Sequence, residues 1–215
     1  MTSTKRSEGM KVACLFSGGK DSCFALFWAL FQGFEPVLIT VKGEEYSMMF
    51  HHPNIGKTAL QARALGLKQH FLKTTDKRWH ADLKRLLKKL RVHGIVAGAV
   101  ASEYQRRKLD KLGEELKIPT YAPLWHKEDE LMSELLEYFE TYIIAVSADG
   151  LGKEWLGKPF KELAAAKIKG IHPFLEGGEG ETYVANAPFF KKRVKIAKSR
   201  WKIKWDGVRG EAQIR

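Results

Sequence analysis

Short apolar runs alternate along this chain with longer stretches whose apolar residues recur three and four positions apart. Residues 12–16 and 37–41 are unbroken runs of apolar residues and threonine, the pattern of short strands buried on both faces. Between them, residues 23–31 read as a helix closed by a turn at Gly33 and Pro36. A second helix starts near Ile55 or Gly56 and ends at Gly66, and residues 68–73 form a third strand. Trp79, Leu83, Leu86, Leu87 and Leu90 then mark the buried stripe of a third helix, with Thr75 and Asp76 available to cap it. Residues 94–100 read as a fourth strand, and a helix with Leu109, Leu112 and Leu116 on its inner face follows from Ser102. A short strand at 119–122, a helix marked by Leu131, Leu135 and Phe139, and a strand at 142–147 complete the series.

Strands alternating with helices over short connections predict an α/β fold, a parallel sheet with helices on both faces. Glycines and Pro159 interrupt the chain beyond residue 148, a helix is expected over 160–169, and residues 193–203 alternate like antiparallel strands. The expected organisation is a lead at 1–10, an α/β domain at 11–147, and a smaller C-terminal α+β region at 148–215 ending in antiparallel strands.

Composition adds little to this picture, and charge adds one feature. The 215 residues are 44% hydrophobic and 29% charged, as in an ordinary globular domain. No apolar run approaches the ~20 residues of a membrane span, and residues 1–9 lack the apolar segment of a signal peptide. Cys14 and Cys23 show no metal-binding spacing and are expected to pack as small apolar groups, in keeping with a cytoplasmic protein. The formal charge is +12, and residues 191–215 carry ten basic residues against two acidic ones. Such a tail attracts nucleic acid, an acidic protein or a nucleotide, or forms a solvated face. The neighbouring histidines His51 and His52 have no carboxylate or cysteine at ligand spacing; their loop is expected to line a pocket or to cap the next helix.

The chemistry concentrates first in Ser17-Gly18-Gly19-Lys20-Asp21-Ser22, between the first strand and the first helix. Paired glycines let backbone N–H groups approach a ligand closely, and a helix that begins here contributes free donors and the positive end of its dipole. Lys20 supplies a charge for phosphate, Ser17 and Ser22 supply hydroxyls, and Asp21 offers oxygen to Mg²⁺. The segment is not a Walker A loop, because Asp21 follows Gly19-Lys20 and Cys14 occupies the position of the first glycine. The plainer alternative is a capped strand-to-helix turn. Gly98, among small residues at the end of the fourth strand, leaves room for a ligand at the same edge of the sheet.

The second concentration is Glu176-Gly177-Gly178-Glu179-Gly180-Glu181-Thr182. Carboxylates held near a nucleotide bind a metal, position an amine or accept its proton; a flexible acidic surface loop is the alternative reading.

The six-residue loop in this setting resembles the PP-loop of the ATP pyrophosphatases. Together with residues 94–107 and the segments 176–183 and 187–191, the chain is similar to the diphthine–ammonia ligase family in its short, archaeal-like form, over roughly residues 12–194. That resemblance implies an adenine nucleotide alpha hydrolase-like fold, with ATP as cofactor and Mg²⁺ held by Asp21. The activity it implies is amidation of the diphthine carboxylate on translation elongation factor 2, with ammonium as nitrogen donor and AMP and pyrophosphate as products. It assigns Ser17, Gly18, Gly19, Lys20, Asp21, Ser22 and Gly98 to ATP and Ser102, Tyr104, Gln105, Arg106, Glu176, Gly177, Gly178 and Thr182 to the acceptor. Lys20, Asp21, Glu179 and Glu181 are the expected catalytic set, and a homodimer is the expected assembly. The pattern departs from the family at Leu175 and Gly180 around the glutamate segment, and at Gly152 and Lys153, where acidic residues are usual. Two other functions stay open at this point: a PP-loop ligase acting on tRNA through the basic tail, and a nucleotide sensor without turnover.

Overall fold

A computed structural model describes residues 9–44, 53–98, 103–127, 135, 137–147, 150–172, 174–197 and 200–215. The loop carrying His51 and His52, the candidate Ser102 and the helix marker Leu131 lie outside them.

The first half builds a five-stranded parallel sheet. Its strands are β1 (Lys11–Leu15), β2 (Glu35–Lys42), β3 (Gln69–Lys73), β4 (Ile95–Val96) and β5 (Thr120–Tyr121), in the order β3-β2-β1-β4-β5. β1 lies at the centre, and its apolar residues Val12, Ala13 and Cys14 are almost wholly removed from solvent. Helices α1 (Lys20–Phe31) and α2 (Thr58–Leu65) pack in a cluster with Cys14, Phe16 and Leu38. Helices α3 (Trp79–Leu90) and α4 (Glu103–Leu116) contribute Leu83, Leu87 and Leu112 to a second cluster with Ala13, Ile39 and Ile95. α2 stops where Gly66 takes a left-handed φ of 71°, a backbone state that costs glycine nothing.

The chain then leaves this sheet. β6 (Glu140–Val146) pairs antiparallel with β7 (Gly180–Asn186) and β9 (Gly210–Gln213), and β8 (Lys202–Trp205) completes a four-stranded sheet ordered β7-β6-β9-β8. Helix α5 (Phe160–Ala166) covers this second sheet through Phe160 and Leu163, which pack with Ile143 and Val146. All the strand partners of β6 therefore lie beyond residue 147. α1 is apolar around its circumference because it lies between the two sheets, with Cys23, Leu26 and Ala29 in one cluster with Tyr183 and Val184 of β7.

Several local expectations are corrected. Among the described residues of the fourth apolar run, Ile95 and Val96 pair as strand, the Ala97 N–H still donates to the Tyr121 carbonyl at 2.9 Å, and Gly98 lies against the first turn of α1. The alternating residues 193–197 form no strand: the Val194 N–H donates to the Ala185 carbonyl (2.8 Å), Arg193 bonds Glu140 at 2.6 Å, and among the described residues strand pairing resumes at Lys202. At the start of α3 the Arg78 and Trp79 N–H groups donate to the backbone carbonyl of Thr75, and Arg78, the residue before the helix, makes no side-chain cap bond. α5 ends at Ala166, where Lys167 adopts a left-handed φ of 46°. Phe139 follows the helical residues 137–138 and packs against Phe24 and Phe189.

Candidate functional site: a phosphate loop closed by the second sheet

In the first sheet the chain order reverses across β1, with β2 on one side and β4 on the other. In open α/β sheets, ligands bind at such a switch point, beyond the carboxyl ends of the strands. β1 delivers residues 17–19 there, and β4 delivers Gly98. The two come so close that a Cβ on Gly98 would lie 2.5 Å from the Asp21 carbonyl carbon and 2.7 Å from the Ser22 nitrogen.

The loop is held in shape by its own hydroxyls. The Gly18 N–H donates to Ser22 Oγ at 3.0 Å, and that hydroxyl in turn donates to the Gly19 carbonyl at 3.1 Å. Ser17 Oγ lies 3.2 Å from Ser22 Oγ. Gly18 has a φ of 81°, which explains a glycine at this position.

Further support comes from β7. The Val184 N–H donates to the Gly18 carbonyl at 3.0 Å. The Lys20 N–H, at the first residue of α1, donates to Thr182 Oγ1 at 3.1 Å. Gly19, the residue before the helix, makes no side-chain cap bond, so Thr182 provides this helix with its cap from 162 positions along the chain.

Lys20 is the centre of the site. It is 3% exposed, and its ammonium lies 2.7 Å from Asp21 Oδ2 and 2.8 Å from Glu176 Oε1. The rings of Phe160 and Phe174 stand 5.9 and 5.6 Å from the same nitrogen. Burial pulls the Lys20 pKa down, but the charges of Asp21 and Glu176 and their hydrogen bonds outweigh it and hold the group above its ordinary value. The ammonium is therefore a fixed cation at neutral pH.

The glutamate segment divides in role. Glu176 reaches the loop through Lys20. Glu179 instead accepts the Gly177 N–H at 2.7 Å and the His172 N–H at 2.9 Å, so it fastens its own turn. Glu181 stands on β7 opposite Ala145, next to the capping residue Thr182. Gly178 has a φ of 80°, as the turn between Glu176 and β7 requires.

On α4, Arg106 bonds Asp110 at 2.8 Å and lies 5.5 Å from the Trp125 ring, and the side chain of Tyr104 is half-exposed with Lys108 against it at 5.4 Å. These bonds tie Tyr104 and Arg106 to α4 and its neighbours; Gln105 is partly buried on the same helix. The cysteines behave as expected: both are free and buried, and desolvation pushes Cys14 up to about 12 and Cys23 well above its ordinary value, which favours the protonated thiol at both.

Two residues that the structure brings to this site carried no sequence signal. Gln61 of α2 donates from Nε2 to the carbonyls of Gly18 at 2.7 Å and Val184 at 2.8 Å, yet it reads in sequence as an ordinary helix residue. Phe174, beside Lys20, sits among loop residues with no periodicity to mark it.

For a metal, Asp21 is the oxygen donor nearest the loop. Among the described residues no group of three or more His, Cys, Asp or Glu side chains converges on one point. Asp21 and Glu176, both bonded to the Lys20 ammonium, bring two carboxylates to the loop, a donor set that fits Mg²⁺, which is commonly held by one or two carboxylates together with substrate phosphates. No helix among the described residues is long and apolar enough to cross a membrane.

A parallel sheet ordered 3-2-1-4-5, with a Ser-Gly-Gly-Lys-Asp-Ser loop at its switch point, defines a nucleotide-binding protein of the PP-loop ATP pyrophosphatase type. The chain belongs to the diphthamide synthase family: the N-terminal domain of that family matches residues 10–119 and its C-terminal domain residues 127–215. The human diphthine–ammonia ligase is 29% identical over 88% of this chain and 84% of its own length. The Schizosaccharomyces pombe protein of the same name is 32% identical over 86% of this chain, which spans 36% of that longer protein. Among solved structures, a predicted subunit of tRNA methyltransferase from Methanocaldococcus jannaschii superposes with a TM-score of 0.50 at 20% identity, covering 83% of this chain and 97% of its own; this likeness concerns the fold alone.

Proposed function

We propose that this chain is an ATP-dependent carbon–nitrogen ligase that amidates the diphthine carboxylate of translation elongation factor 2, with ammonium as the nitrogen donor. The observation that carries this reading is the Lys20–Glu176 ion pair, because it joins a phosphate loop to a glutamate turn in one site. Similarity over most of the chain to relatives named diphthine–ammonia ligase supports diphthine and ammonia as the substrates.

The reaction divides into two steps. A substrate carboxylate oxygen attacks the α-phosphorus of ATP, the bond to the β-phosphate breaks, and pyrophosphate leaves an acyl-adenylate. Ammonia then adds to the acyl carbon, the carbon–oxygen bond to AMP breaks, and a carboxylate takes up the surplus proton. The Lys20 ammonium and the Gly19 N–H hold the β- and γ-phosphates and stabilise the leaving pyrophosphate, while the Gly18 and Lys20 N–H groups keep the loop in shape through Ser22 and Thr182. Asp21 is the residue to hold Mg²⁺, which neutralises phosphate charge when bound. Glu179 and Glu181 are the candidates for drawing in ammonium, which predominates over ammonia at neutral pH, and for accepting its proton. Ser102, Tyr104, Gln105 and Arg106 are assigned to the acceptor side.

The test is AMP release in the presence of ammonium, with and without diphthine-bearing elongation factor. Release that depends on both substrates is expected, with Lys20→Ala slower by on the order of 10²–10³. AMP formation triggered by tRNA would point to the tRNA-modifying alternative, and tight ATP binding without AMP under any substrate would point to a sensor.

A further inference from the structure

Gln61 is fully buried on α2, between the phosphate loop and β7. Its Nε2 lies within hydrogen-bond reach of two carbonyl oxygens, those of Gly18 at 2.7 Å and Val184 at 2.8 Å. Both neighbours are acceptors only, so the amide nitrogen must face them; the opposite orientation would set oxygen against oxygen. Oε1 consequently turns toward Gly18, where it would stand 2.1 Å from a Cβ, and it has no hydrogen-bond partner among the described residues. A buried orphan oxygen is costly, and Leu or Met would fill the same space without it. The side chain must therefore do something that an apolar one would not.

The Gly18 carbonyl shows what that is. It accepts twice, from Gln61 Nε2 and from the Val184 N–H at 3.0 Å, which saturates both of its lone pairs. In a planar trans peptide the carbonyl of Gly18 and the N–H of Gly19 point in opposite directions, and the chain has no cis bond among the described residues. Anchoring the carbonyl toward α2 and β7 turns the Gly19 N–H the other way, into the loop. There its one partner among the described residues is Ser17 Oγ at 3.4 Å, a contact long enough to yield to a stronger acceptor. Glycine at 18 and 19 would otherwise let this peptide rotate freely.

We infer that Gln61 is a positioning residue for nucleotide phosphate: it locks the Gly18–Gly19 peptide so that the Gly19 N–H is presented to a phosphate oxygen of ATP. Gln61 itself touches no phosphate. It acts through Gly18, and through Val184 it makes the loop's shape depend on β7. This inference rests on the reading that ATP occupies the loop.

The experiment measures steady-state KM for ATP, kcat and inhibition by pyrophosphate in Gln61→Met and Gln61→His, well below the melting temperature of each. Gln61→Met keeps the length and removes both donors. It is expected to raise KM for ATP and the inhibition constant of pyrophosphate about tenfold each, the scale of one ordinary hydrogen bond. Its kcat at saturating ATP should stay within about threefold of wild type, and KM for the protein acceptor should not move. Gln61→His retains one N–H donor and is expected to recover part of the lost ATP affinity. A lower melting temperature with wild-type KM for ATP in Gln61→Met would reduce the residue to packing and overturn the inference. If Gln61→Met does not fold, Gln61→His decides alone, since a folded variant with one donor missing and an unchanged KM for ATP has the same consequence. Lys20→Ala serves as the control. Unchanged ATP affinity in Lys20→Ala removes the loop assignment itself, whereas a loss there with no effect at Gln61 removes this inference alone.

Discussion

Thr182 caps the helix that begins at Lys20: its hydroxyl oxygen accepts the Lys20 N–H at 3.1 Å, across the interface between the two sheets. α1 starts inside the Ser17–Ser22 loop, so a residue of the second sheet helps to set the geometry of the proposed phosphate loop at the edge of the first. Thr182→Val keeps the shape and removes the acceptor. It is expected to cost about 1 kcal/mol of stability, the usual worth of a helix cap, and to weaken ATP binding at the same time. Thr182→Ser should retain both. Thermal melts with and without ATP check the pair. Loss of stability in Thr182→Val with an undiminished shift by ATP would separate the cap from the ligand site.

The Lys20–Glu176 pair predicts a pH dependence on the alkaline side. Lys20 has a pKa above its ordinary 10.5, despite burial, because Asp21 and Glu176 stabilise the cation. A group whose pKa is raised on folding contributes stability that is whole below its unfolded value and lost as pH climbs through the folded one. The wild-type melting temperature should therefore hold a contribution from Lys20 up to about pH 10 and lose it above. Glu176→Gln removes one of the two charges responsible and should shrink this alkaline loss, while Asp21 still keeps the lysine charged at neutral pH. Melting temperature against pH for both proteins measures the difference. Superimposable alkaline limbs would mean that the pair contributes nothing to stability.

The parallel sheet was legible because its strands are buried on both faces and leave unbroken apolar runs, such as 12–16. The loop at residues 17–22 was legible because its chemistry is contiguous. The second sheet was harder to read. β8 exposes Lys202, Ile203 and Lys204, so no clean alternation marks it, and the alternation that is visible at 193–197 belongs to an irregular stretch. Roles that arise from contacts between distant residues left no trace at all. Glu176 and Glu179 look equivalent in Glu-Gly-Gly-Glu, yet one meets Lys20 and the other ties its own turn to His172. The same holds for Gln61, whose partners are 43 and 123 positions away.

Gly98 is small because α1 begins against it. The three heavy atoms nearest its hypothetical Cβ are all backbone, at 2.5, 2.6 and 2.7 Å, so no flexible side chain can move aside. Gly98→Ala must displace either β4 or the first turn of α1, where Lys20 and Asp21 reside. The expected result is a loss of at least tenfold in kcat/KM for ATP, together with a destabilisation of about 1–3 kcal/mol, the usual range for overpacking. Gly56→Ala, whose Cβ would meet among the described residues only Lys42 Nζ at 4.0 Å, should be close to neutral. Kinetics and melts of the two variants side by side provide the check, and near-wild-type kinetics in Gly98→Ala would show that the edge of the loop tolerates displacement.

Glu179 and Glu181 make separable contributions if the geometry governs their chemistry. Both Glu179 oxygens accept backbone N–H groups, from His172 and Gly177, and an amide in its place keeps only one acceptor. Glu179→Gln should therefore loosen the turn that carries Glu176, lowering the melting temperature and raising KM for ATP and ammonium together. Glu181 follows this turn on β7 and precedes the residue that caps α1, so its carboxylate is the one expected to meet ammonium. Glu181→Gln should raise KM for ammonium about tenfold or more, with little change in ATP binding, as expected when a charge-assisted hydrogen bond to a cation is weakened. At higher pH a larger share of the nitrogen is already free ammonia. The defect of Glu181→Gln should shrink there if the carboxylate both binds the cation and accepts its proton. Initial rates over a matrix of ammonium concentration and pH decide the assignment, and an unaltered ammonium KM in Glu181→Gln would return the role to Glu179.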